Sequence, residues 1–177
     1  TQMAQTTRRF CALAAASGQA NVIGGAHYAA SLWAYEINDL DAAHAHFTAV
    51  ADVRYSTNLM AATSCLLGLA RIHQLRGEPE PAQQIIHDIR TELVRYQSTE
   101  LLALVDAFHA LHWSRYGEIT AALRWARGAD LPQFTGDPLY FKSPLLMRAQ
   151  ILIDHGGASD LNGLADHLQA EAARVEA

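Results

Sequence analysis

One turn recurs along this chain at nearly constant spacing, and that recurrence restricts it to a small set of helical-repeat folds. The stretches "INDLDAAHAHF", "RGEPEPAQQII" and "YGEITAALRWA" align on Asn38, Gly77 and Gly117, which are 39 and 40 residues apart. An acid follows each time (Asp39, Glu78, Glu118), and an alanine falls five residues on (Ala43, Ala82, Ala122). Asparagine and glycine best accept a left-handed helix end. An acid in the next first turn complements the positive end of that helix. A small residue at fixed offset lets two antiparallel helices approach closely. Pro79 and Pro81 cannot sit inside a helix, but the first turn tolerates them. A fourth copy is expected at Gly156, where Leu161 replaces the alanine, as terminal repeats are often degenerate.

Apolar periodicity supports helices on both sides of each turn. Leu101, Leu104, Val105, Phe108 and Leu111 form a helical stripe, as do Ile85, Ile89, Leu93 and Tyr96. No period-2 strand stands out. The expected helices are 3–17, 22–37, 40–54, 57–75, 79–96, 99–115, 118–128, 139–154 and 159–175. An irregular stretch at 128–144, rich in proline and carrying Phe134, Tyr140 and Phe141, overlaps the start of the eighth. The expected fold is all-α: a tetratricopeptide-like solenoid of about four helix pairs plus an N-terminal helix, forming one domain over 1–177.

Half of the residues are hydrophobic and 18% are charged, which argues against disorder. With a formal charge of −5 and 13 scattered basic residues, no phosphate-binding face is expected. Cys11 and Cys65 are far apart and read as free thiols of a reducing, cytoplasmic compartment. No apolar run reaches the roughly 18 residues of a membrane helix. The run after Arg8 and Arg9 is short for a signal peptide. The threonine start and the ending "EAARVEA" suggest a segment of a longer protein.

The wording of the repeats resembles a known family. "VRYSTNLMAA", "LLGLA", "GEITAALRWA" and "PLYF" followed by a proline resemble the tetratricopeptide-like region of MalT-type, LuxR-family ATP-dependent transcriptional regulators, over roughly residues 24–170. The resemblance implies a repeat region that senses a small-molecule inducer or a regulatory protein and touches the other domains of its parent regulator. In that family a nucleotide-binding module and a DNA-binding helix-turn-helix lie elsewhere. Neither is legible here: there is no G-x-x-x-x-G-K-[ST] phosphate loop and no basic recognition helix. The other readings are a free-standing tetratricopeptide adaptor that binds a peptide, and a metal-dependent enzyme.

The chemistry-bearing residues favour binding over catalysis. His44 and His46 lie on nearly opposite helix faces and cannot share a metal. Asp106, His109 and His112 share one face, but a second ligand helix would be needed. Cys65 sits in an apolar helix, where a thiol is inert. No catalytic residue, metal or cofactor is therefore expected. Tetratricopeptide arrays bind on the concave face formed by the first helix of each pair. Counting back from the turns selects Tyr28, Tyr35 and Glu36, then Arg71 and Gln74, then Arg115. That mixture suits a sugar, a small polar molecule or a peptide. Arg71 should pair with Glu36 or face solvent, because a buried unpaired arginine is costly. Trp113 and Trp125 are expected in the core, and the 128–144 loop is the rival binding site.

Overall fold

The computed structural model describes residues 2–131 and 143–175. Its elements are α1 (Gln2–Ser17), α2 (Ala20–Glu36), α3 (Leu40–Asp52), a 3-10 turn (Arg54–Ser56), α4 (Leu59–Leu75), α5 (Pro79–Tyr96), α6 (Thr99–Arg115), α7 (Ile119–Gly128), α8 (Pro144–His155) and α9 (Ala158–Val175). No strand occurs among the described residues. The boundaries differ most from the sequence expectation at α8. It starts at Pro144 rather than 139, because Ser143 caps it by accepting from the Leu146 N–H at 3.3 Å and Pro144 takes the first helical position. The 128–144 stretch is described only at its ends, so Phe134, Tyr140 and Phe141 lie outside the described residues.

The three aligned turns share one hydrogen-bond pattern. The N–H groups of Asp39, Glu78 and Glu118 donate to the carbonyls of Ala34, His73 and Trp113, each at 2.9 Å. Asn38, Gly77 and Gly117 supply the left-handed residue at φ 60°, 73° and 91°. This is a Schellman closure, in which the bond spans six residues around a left-handed position. The acids occupy the cap position itself rather than the first turn. Asp39 accepts from the Ala42 N–H at 3.1 Å, whereas Glu78 turns back to His73 Nδ1 at 2.6 Å. Pro79 then opens α5 at its first position. The fourth turn is built differently: Gly156 is extended at φ −78°, and Leu161 is 41% exposed.

The helices group into two compact units, one holding α1–α5 and the other α6–α9. In the first, each helix packs on the next, and α2 also touches α4. Helix α4 is buried almost all round, from Ala61 to Gln74, and serves as the central helix of this unit. In the second, α6 packs against both α7 and α8, and α8 against α7 and α9. Arg127 on α7 holds Asp160 on α9 through two bonds of 3.0 and 2.9 Å.

The repeat alanines have no exposure at all: Ala43, Ala82 and Ala122 are each at 0%. Four residues later Phe47, Ile86 and Ala126 are also buried, so the second helix of each pair presents the same face. Phe47 joins Ala34, Val50, Cys65, Leu69 and Ile72 in the core of the first unit. Its ring fits only because residue 68 is glycine: a Cβ there would stand 2.5 Å from the ring. Truncating such a phenylalanine costs about 3–5 kcal/mol. The Arg76–Asp41 ion pair, whose aspartate side chain is 94% exposed, is worth about 0–1 kcal/mol. Packing therefore outweighs surface charge in holding the pairs together. Ala82→Phe and Ala122→Phe are each expected to cost about 1–3 kcal/mol by overpacking. Urea denaturation checks this, and unchanged midpoints for both variants would refute close packing at these positions.

Candidate functional site

Five of the six residues proposed for binding lie in the first unit. Tyr28, Tyr35 and Glu36 stand on α2, and Arg71 and Gln74 on α4, the helix it touches. Arg115 ends α6, in the second unit. Tyr28 and Tyr35 are half-buried against the core, with the Tyr35 ring 6.4 Å from that of Phe47. Packing thus fixes both rings and leaves part of each at the surface. Arg71 does not pair with Glu36. Its Nη1 donates instead to Gln74 Oε1 at 3.2 Å, and Gln74 is 8% exposed. The half-buried guanidinium is held by a neutral partner, so its positive charge is not cancelled. Glu36 is exposed. A guanidinium of this kind can accept a carboxylate or hydroxyl as a further partner.

The histidines sort into separate groups. His44 and His46 do point apart, as helical geometry requires. The His44 ring meets that of His73 edge-on at 5.8 Å, whereas His46 Nδ1 lies 3.0 Å from His27 Nδ1. On α6, His109 stacks against Trp113 with centroids 4.1 Å apart, and the buried His112 packs on Tyr116 at 4.6 Å. Among the described residues, the one cluster able to offer three metal ligands is Cys11, His27 and His46, from three different helices. Sequence spacing missed it because no two of its members share a helix. Its faint signal was register: Cys11 and His27 lie seven and nine residues either side of Gly18, so an antiparallel hairpin brings them level.

Cys65 is unsuited to nucleophilic attack, since burial pushes its thiol up to about 12, against a weaker lowering from the Ser31 hydroxyl. Two shallow surfaces stand out among the described residues. In the first unit, Arg54 lies 4.4 Å above the Tyr55 ring and 3.6 Å from Glu92, along a groove that also meets Tyr96. In the second, Trp113, Arg124 and Trp125 line an open hollow. Both tryptophans are half-buried there rather than in the core, because α7 is short and turns only Ala122 and Ala126 fully inward.

No family model, curated protein or solved structure matches this chain.

Burial lowers the proton affinity of His27, His46, His44 and His112 below the ordinary 6.5. Like charge on neighbouring His27 adds to the effect at His46, and Asp39 opposes it. The unfolded chain therefore binds more protons than the folded one just below pH 6.5, so stability falls as pH drops through that value. Urea midpoints measured from neutral to mildly acid pH are expected to decline. A flat profile down to the carboxylate range would contradict the buried neutral imidazoles.

Proposed function

We propose that this chain is the effector-sensing helical-repeat region of a LuxR-family, MalT-like transcriptional regulator, with its helix pairs stacked in a tetratricopeptide-like solenoid. The observation that supports it is the identical closed turn at Asn38, Gly77 and Gly117, which pairs helices at a 39–40-residue period. The first helices of the first two pairs, α2 and α4, are in contact and carry Tyr28, Tyr35, Arg71 and Gln74. In this reading the effector, a small polar inducer or a segment of a regulatory protein, docks on that face. Its carboxylate or hydroxyls would replace Gln74 as the partner of Arg71, and the tyrosine rings would flank it. In this reading DNA contact and nucleotide hydrolysis belong to other modules of the parent regulator, because the sequence has no phosphate loop and no basic recognition helix. No described helix is long and apolar enough to cross a membrane.

A thermal-shift screen of sugars, small carboxylates and peptides tests the reading. At least one class is expected to raise the melting temperature, and Arg71→Ala should weaken the shift by about tenfold or more in affinity, the scale of a lost charge-assisted hydrogen bond. Hits that keep full strength with Arg71→Ala would remove the sensor from this face. Hits among peptides alone would favour a peptide-binding adaptor.

A further inference from the structure

We propose that Cys11, His27 and His46 form a zinc site that clips α1 to the α2–α3 pair and leaves one coordination position open. The three ligand atoms, one from each helix, all lie within 4.8 Å of one another. A tetrahedral zinc ion with bonds of about 2.0–2.3 Å holds its ligands roughly 3.3–3.6 Å apart. The 3.0 Å separation of the two Nδ1 atoms is already close to that, so small side-chain rotations would suffice.

The donor set specifies the ion class. A thiolate and two imidazoles suit zinc, whereas calcium and magnesium require oxygen donors that the cluster lacks. Two Nδ1 atoms facing each other at 3.0 Å are also an awkward pair without a cation. One must carry a proton to bond the other, and two imidazolium rings there would repel. Cys11 at present only leans its thiol on the Ala26 carbonyl at 3.8 Å. On binding, that thiol releases one proton to solvent and its sulfur bonds the metal. Each imidazole donates a lone pair, so a divalent ion with these three ligands keeps a net charge of +1. The fourth position would be taken by water or by an anionic donor, as in sites that exchange a ligand.

The site also has a structural consequence. Helix α1 has no acid in its first turn and leaves Met3, Phe10 and Leu13 largely exposed. Its docking therefore rests on its packing against α2, and a metal bond through Cys11 would add a second attachment.

Cobalt(II) titration of the reduced protein tests the proposal, because cobalt takes zinc's place and reports its ligands in its absorption. One equivalent is expected to bind, with a near-ultraviolet thiolate-to-cobalt charge-transfer band and the strong visible bands of four-coordination, and zinc should displace it. Cys11→Ser should abolish the charge-transfer band at unchanged helical dichroism. His46→Gln should weaken cobalt binding by more than about 100-fold, beyond what loss of a group that only supports a ligand costs. Absence of the charge-transfer band in the wild-type protein would overturn the proposal, and this result needs no variant to fold. A band that survives Cys11→Ser would also overturn it.

Discussion

The architecture depends on one hydrogen bond made three times, from the amide after each left-handed turn residue to a carbonyl five residues earlier. Such a bond contributes only about 0.5–1.5 kcal/mol net. Its importance is geometric. It stops one helix, reverses the chain and starts the next with the cap already in place. The offset of the buried alanine then follows, because five residues past the turn is where the second helix first faces the first. Ala43, Ala82 and Ala122 meet that face with a methyl group alone. Where the closure is absent, at Gly156, the residue at the same offset, Leu161, is 41% exposed instead of buried.

This scaffold explains why polar chemistry survives on α2 and α4. Helix α4 is surrounded on most sides, so its few polar side chains must find partners. Gln74 does so with Arg71, and Ser31 on α2 lies against Cys65. An arginine held by a neutral amide keeps its charge for a further partner, which a carboxylate pairing would have removed. The same close spacing of α1, α2 and α3 brings a thiol and two imidazoles together. The proposed effector residues Tyr28, Tyr35, Arg71 and Gln74 and the proposed metal clip thus both lie in the first unit.

Local signals made the helices legible. Pro79 after Gly77, the asparagine and glycine turns, and the 3.6-residue stripe of α5 each mark a helix end or face by themselves. The start of α8 was misjudged because Pro144 reads equally as loop or as the first helical position, and only Ser143 tells the two apart. The site was less legible, since it depends on distances between helices. Arg71 was expected either to meet Glu36 or to face solvent; it stays half-buried and bonds the amide of Gln74, three residues along the same helix. The tryptophans were placed inside by offset, but both are half-buried, and on α7 only Ala122 and Ala126 are fully buried. The Cys11–His27–His46 group escaped notice because helical spacing describes one helix at a time.

Residue-resolved amide hydrogen exchange addresses the shared turn most directly. Asp39, Glu78 and Glu118 are all exposed, so their amides would exchange at unfolded-chain rates unless the closing bond is made. The account requires all three to be protected, and more strongly than the Gly157 amide of the differently built fourth turn, which is held only by the Asp160 side chain. Free exchange at any of the three would show that the common turn, and the helix pairing that rests on it, is not formed there.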